Sequence, residues 1–300
     1  MLTESALIAR FEGIRVWRQG DRRAVHKPLL VLLMLGRLFR GEASAQFADV
    51  EEELQGLLRQ FGPSSAAATR HYPFWHLQTD DGVWVLSGPK ALLSRPPGAS
   101  PSLAEARTLS GAFSEEVLAA FRAHPEWIAV VAQRIVASHF PESLQADALA
   151  AVGLEGVETS VVAGAERTRR DPSFRPRVLL AYEYRCCVCR HDLRLAGQIV
   201  GLEAAHIRWV QARGPDVEPN GLALCSLHHK LFDLGVFTVL PGDYTLVVSQ
   251  HVTGSDEVRA RLMSFHGAGI VLPQSAGFYP NKNFLDWHHG EVFKKPQRDV

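Results

Sequence analysis

Several things are missing or scarce in this 300-residue chain, and each removes a class of protein. No charge is in excess: 32 lysines and arginines balance 32 aspartates and glutamates, so nucleic acid is not gripped by bulk charge and any such contact must be local. No apolar run is long, the longest being Pro28 to Leu35, far below the roughly 20 residues of a membrane span. No opening stretch combines a basic start, an apolar core and a small-residue cleavage site. The expectation is a soluble, cytoplasmic protein with no membrane partner. Cysteine is scarce as well, at four residues, which cannot frame a chain of this size with disulfides. Internal repeats and low-complexity tracts are absent.

What remains is ordinary globular composition, 46% hydrophobic and 21% charged, in a length that suits two domains. Its cations cluster locally: Arg15, Arg18, Arg22, Arg23 and Lys27; Arg167, Arg169, Arg170, Arg175 and Arg177; and Lys294, Lys295 and Arg298. Helices are expected over Leu2–Arg18, Lys27–Phe39 and a segment bearing Phe47, Val50, Leu54, Leu57, Leu58 and Phe61 at helical spacing. Phe74–Leu77 and Val83–Leu86, joined by Asp80-Asp81-Gly82, read as a β-hairpin, and helices followed by a hairpin suggest a winged-helix-like module. Ser114, Pro125 and Pro141 mark further helix starts. The fold class is α+β, with a recognition domain over 1–152, a linker over 153–173 and a second domain over 174–300. In that second domain Val236–Leu240 and Tyr244–Ser249 form a hairpin around Pro241-Gly242-Asp243, and the aromatic tail Phe278–Phe293 packs back on the body.

Three of the four cysteines stand together. Cys186-x-x-Cys189 with Cys225-x-x-His228 downstream has the ligand count and spacing of a closed tetrahedral structural Zn²⁺ site, while Cys187 has no predicted role. Between the knuckles lie Glu203-Ala204-Ala205-His206-Ile207 and then Asn220-Gly221-Leu222-Ala223-Leu224-Cys225, running on to His228-His229-Lys230-Leu231-Phe232-Asp233.

These segments resemble the HNH (ββα-metal) endonucleases. The resemblance implies that His206, at the end of the first strand, is the general base, that Asn220 spans and holds the loop, and that His229 binds a catalytic divalent metal, Mg²⁺ or Mn²⁺. Asp233 lies four residues beyond His229, so one helical face carries both, and it is the first candidate for a second ligand. The family often has a ligand just before the base, but here that position is Ala205. Glu203, on the opposite strand face from Ala204, is the second candidate. His228 and His229 point about 100° apart on a helix, which suits two separate metals.

Upstream, Val25-His26-Lys27-Pro28-Leu29-Leu30 and Tyr72-Pro73-Phe74-Trp75-His76-Leu77 resemble the sulfur-binding domain of type IV, McrA-like restriction enzymes, which recognise phosphorothioated DNA. The resemblance implies that Tyr72 and Pro73 line an apolar cup for sulfur, that His26 and Lys27 lie beside the DNA backbone, and that Arg95 or Arg107 reads a base edge. The partner is then double-stranded DNA carrying phosphorothioate, and cutting both strands with one site per chain favours a homodimer. Three other readings stay open: a methylated-base reader using Trp75 and Trp84, a catalytically silent zinc-stapled DNA-binding protein, and an N-terminal domain indifferent to modification.

Overall fold

The computed structural model describes residues 2–16, 25–80, 82–96, 98–155 and 171–299, in two compact units, Met1–Ala165 and Glu166–Val300. Among the described residues no helix is long and apolar enough to cross a membrane.

The first unit runs α1 (Glu4–Glu12), α2 (His26–Phe39), β1 (Ser44–Gln46), α3 (Phe47–Phe61), α4 (Tyr72–His76), β2 (Trp84–Ser87), α5 (Lys90–Leu93), α6 (Leu103–Ala106), β3 (Ser110–Phe113), α7 (Glu115–Ala123), α8 (Glu126–His139) and α9 (Glu142–Ala150). Helix α2 is buried without interruption from Pro28 to Gly36, as expected of a helix that is apolar on every side, and α3, α4 and α8 pack around it. A small antiparallel sheet of order β1-β3-β2 is sealed by edge-on rings, with Phe47 against Phe74 and Trp84 against both Phe74 and Phe113.

Two local expectations fail here. The first helix stops at Glu12 with Gly13 as its C-cap, short of Arg18; residues 17–24, including Arg18, Arg22 and Arg23, lie outside the described residues. The hairpin is also replaced. Residues 72–76 are helical, with Pro73 in the first turn, and Leu77–Thr79 is a 3₁₀ turn, while Trp84–Ser87 pairs with Ser110–Phe113 instead. The reason is that Pro73, Phe74 and Trp75 are buried in succession, which a half-exposed strand cannot achieve, and proline suits a first helical turn. The winged-helix expectation thereby loses the hairpin it rested on. Of the expected linker, Leu154 is buried in the first unit, and residues 156–170, with Arg167, Arg169 and Arg170, lie outside the described residues.

The second unit runs α10 (Phe174–Ala181), β4 (Arg194–Leu195), β5 (Gln198–Ile199), β6 (Leu202–His206), β7 (Gly221–Cys225), α11 (Ser226–Asp233), β8 (Phe237–Val239), β9 (Leu246–Val248), α12 (Asp256–Arg261) and α13 (Lys282–Glu291). Strands β6 and β7 pair antiparallel from Leu202↔Cys225 to His206↔Gly221, and α10 and α11 both pack on them. Every residue of β7 is therefore buried. Gly221 is required where α10 crosses, since a Cβ there would lie 2.4 Å from Val178 Cγ2. The hairpin β8–β9 forms as expected, and α13 returns to the core by stacking His288 on Phe232, with centroids 3.6 Å apart.

The tightest backbone approach in the first unit is at Gly36, where an added Cβ would lie 1.9 Å from the Val152 carbonyl oxygen, which also accepts from Arg40. Alanine is the better helix former by about 1 kcal/mol, yet Gly36→Ala is expected to destabilise the unit by about 1–3 kcal/mol, because backbone must move. Denaturant unfolding of the variant checks the sign.

Candidate functional site

The second unit holds two clusters on different faces of one helix, α11. On one side, Cys186, Cys189, Cys225 and His228 bring their ligand atoms within 4.8 Å of one another. Cys189 Sγ lies 3.8 Å from Cys225 Sγ, and His228 Nδ1 lies 3.1 Å from Cys225 Sγ and 3.7 Å from Cys186 Sγ. Zn–S bonds of about 2.3 Å require tetrahedral S···S edges of roughly 3.8 Å, so this soft donor set has the dimensions to hold a Zn²⁺ ion. His228 donates Nε2–H to the Arg261 carbonyl at 3.0 Å, which turns the Nδ1 lone pair toward the sulfurs. Cys187 faces away and is buried. Burial pushes its thiol pKa up, and its backbone ties the knuckle to Ala223 and Val271, so it behaves as a small apolar residue.

On the other side, His229 lies between two carboxylates: Nδ1 is 2.5 Å from Glu203 Oε2 and Nε2 is 3.1 Å from Asp233 Oδ2. Burial by itself lowers the His229 pKa, but hydrogen bonds to Asp233 and Glu203 outweigh it and raise it to about 9. Reciprocally, the His229 hydrogen bond draws Glu203 down to about 2. The two carboxylates differ in setting. Asp233 is buried and its other oxygen accepts from Trp209 Nε1 at 3.0 Å, whereas the Glu203 side chain is 44% exposed and meets Ser226 Oγ. Ala205 is fully buried core, so a ligand at that position is absent because the strand turns it inward.

His206 ends β6, stacked on Phe174 at 4.0 Å and 15°, with Nε2 2.7 Å from Asp216 Oδ1. Asn220 is completely buried. Its amide donates to the carbonyls of Arg208 and Pro215, at 3.0 and 2.9 Å, and accepts from Arg208 N at 2.9 Å, closing the loop between the strands. The structure thus brings His206 and Asn220 to one end of the β6–β7 ladder and gathers Glu203, His229 and Asp233 beside α11. Sequence reasoning missed Phe174 and Asp216. Asp216 stands in an aperiodic loop ten positions from His206, where no spacing rule connects them.

In the first unit, Tyr72 is 42% exposed and is flanked edge-on by His71 and His76, while Pro73 behind it is buried. His26 meets Ala66 O and Thr69. Burial lowers the pKa of His26, His71 and His76 alike, so these three imidazoles are neutral at neutral pH. Lys27 is 2.5 Å from the buried Asp80 carboxylate, which offsets its charge. Arg95 is paired with Glu105 and Arg107 with Glu51, the latter also held by Arg70. Trp75 and Trp84 are both core residues, 1% and 4% exposed, and cannot stack on an extruded base. His71, His76 and Glu51 were not foreseen; the two histidines flank the Tyr-Pro pair at −1 and +4, a helical spacing hidden once the segment is read as a strand.

Comparison with known proteins gives two family matches: the family described as ScoMcrA-like, DNA sulfur-binding domain, over residues 4–157, and the HNH endonuclease family over residues 186–240. Similar solved structures include the sulfur-binding domain of ScoMcrA complexed with phosphorothioated DNA, 23% identical over 49% of this chain and 94% of that one, TM-score 0.42. That of SprMcrA, likewise in complex, is 21% identical over 52% and 98%, TM-score 0.43. The type IV phosphorothioation-dependent restriction endonuclease ScoMcrA is 23% identical over 49% of this chain and 28% of that one, TM-score 0.40. No curated protein matches.

Because Asn220 satisfies three buried backbone groups, Asn220→Ala is expected to lower the stability of the second unit by about 2–4 kcal/mol. Denaturant unfolding followed by circular dichroism and tryptophan fluorescence reads this, and a loss within error of zero would mean that water replaces the amide.

Proposed function

Since the chain belongs to the ScoMcrA-like DNA sulfur-binding family and carries an HNH endonuclease domain, we propose that it is a modification-dependent restriction endonuclease. It binds phosphorothioated duplex DNA with its N-terminal unit and hydrolyses phosphodiester bonds with its C-terminal unit. The observation that carries this reading is the union, in one chain, of the sulfur-binding match with a β6–β7–α11 motif in which His206 and the Glu203–His229 pair are set out as a base and a cation site. A DNA substrate places the enzyme in the cytoplasm, and cutting two strands with one such site per chain favours a homodimer.

Sulfur is larger, more polarisable and a poorer hydrogen-bond acceptor than oxygen, so it gains by entering an apolar, uncharged dent. Tyr72, over Pro73 and between the neutral His71 and His76, supplies that dent. His26 and Lys27 lie beside the DNA backbone, and Arg107, 51% exposed and oriented by Glu51, is better placed than Arg95 to reach a base edge, because the two terminal nitrogens of Arg95 are both bound to Glu105.

In the nuclease unit His206 takes a proton from water. The water oxygen bonds to phosphorus as the ester P–O bond breaks, and the leaving oxygen gains a proton from solvent. A divalent cation such as Mg²⁺ or Mn²⁺, when bound, neutralises charge on the phosphate and the departing oxygen. His229 Nδ1 and the half-exposed Glu203 would hold it, in place of the proton now between them. Asp233, the first choice from helical spacing, instead orients the ring by accepting from Nε2, as its commitment to Trp209 suits. The Cys186, Cys189, Cys225, His228 set holds a structural Zn²⁺.

Matched duplexes with and without an Rp phosphorothioate in each strand, incubated with Mn²⁺ or Mg²⁺, test the reading. Cleavage of the modified duplex alone, abolished in His206→Ala with binding retained, is expected. Equal cutting of both duplexes would remove the sulfur reading, and binding without cutting in any metal would make the chain a silent reader.

The site also has a pH signature. A cation needs the unprotonated imidazole, and His229 keeps its proton until pH rises toward about 9. Apparent Mn²⁺ affinity is therefore expected to climb up to about tenfold per pH unit between 7 and 9 and then level off, with release of a proton at pH 7. Calorimetry in buffers of different ionisation enthalpy measures both; a flat profile excludes His229 as the ligand.

A further inference from the structure

Asp216 is a residue that neither the motif nor the family matches assign, yet it is built into the base. One carboxylate oxygen lies 2.7 Å from His206 Nε2, and the other accepts the Asp171 backbone N–H at 2.8 Å. Its backbone carbonyl accepts from Arg177, whose guanidinium also binds Asp171 and Glu218. Apart from His206, Asp216 is thus held at its carboxylate by the Asp171 backbone and at its own carbonyl by Arg177 of α10. His206 and Asp216 side chains are only 17% and 20% exposed, so water screens their attraction less than it would on an open surface.

We propose that Asp216 is the positioning residue of the general base. A carboxylate can only accept, so the proton on His206 sits on Nε2 and the basic nitrogen is Nδ1, the tautomer this hydrogen bond selects. Phe174 covers one face of the ring, which leaves the imidazole a single plane in which to present Nδ1. When Nδ1 takes the proton from water, the resulting imidazolium is stabilised by the adjacent negative charge, so Asp216 raises the basicity of His206 as well as aiming it. Gly221 stands opposite His206 on β7 and brings no charge. Asp171 and Arg177 meet Asp216. The inference rests on His206 being the base.

The test compares single-turnover cleavage of the phosphorothioated duplex by full-length wild type, Asp216→Asn, Asp216→Glu and His206→Ala from pH 5.5 to 9, each loaded with Zn²⁺ and saturating Mn²⁺. Asp216→Asn is expected to cut roughly 10–100-fold more slowly with DNA affinity unchanged. The acid limb of its pH–rate profile should move down by about one pH unit, since removing the carboxylate lowers the imidazole pKa. Asp216→Glu should recover part of the rate and restore the limb. A slower Asp216→Asn with an unmoved acid limb, or one as fast as wild type, would overturn the proposal while His206→Ala remains inactive. An active His206→Ala would instead overturn the assignment of the base itself. Should Asp216→Asn prove unstable in thermal melts, the pH limb of Asp216→Glu relative to wild type carries the decision: a limb displaced downward as far as expected for the amide would also count against the proposal.

Discussion

Consecutive side chains of an α-helix diverge by about 100°, and the nuclease unit is arranged around that angle. On α11, His228 turns to the three cysteines and His229 turns to Glu203 and Asp233. One short helix therefore borders two sites of different chemistry, a closed, soft, sulfur-rich one and an open one of oxygen and nitrogen donors. A thiolate set favours Zn²⁺ while carboxylate and imidazole suit harder ions. The two donor sets thus differ in chemistry as well as in direction.

The chemistry of the open site follows from pairing imidazoles with carboxylates in two different settings. His229 sits between two, and the half-exposed Glu203 is the one that can turn to a cation, whereas the buried Asp233 is tied to an indole. His206 has a carboxylate at Nε2 and an aromatic ring along its face. In both cases a carboxylate at Nε2 fixes which way the ring points. Asn220 closes the loop between the strands by satisfying the loop carbonyls of Arg208 and Pro215 and the Arg208 N–H with one amide.

In the first unit several cations are matched to acids, Lys27 to Asp80, Arg107 and Arg70 to Glu51, Arg95 to Glu105, and burial keeps the histidines beside Tyr72 neutral. An uncharged, partly aromatic surface discriminates sulfur from oxygen better than a cationic one, because a strong cation would favour the harder, better-accepting oxygen. This agrees with a chain whose formal charge is zero.

What could be determined from the sequence alone was whatever rests on short, fixed spacings. The two-residue gaps of the knuckles, the Glu-Ala-Ala-His strand, the Asn before a buried strand, the i, i+4 pair His229 and Asp233, and the run of α2 all express local geometry, which a linear pattern records faithfully. Only the tertiary structure decided the rest. It made 72–76 a helix, because the first core buries Pro73, Phe74 and Trp75 together, and it withdrew Trp75 and Trp84 from any base-reading role. It set Glu203 and Asp233 on opposite nitrogens of His229, with Asp233 held by Trp209, 24 residues away, and it brought Asp216 to His206 through a loop anchored by Asp171 and Arg177. Those contacts join residues with no periodic relation, and their energies exist only once the chain between them has closed.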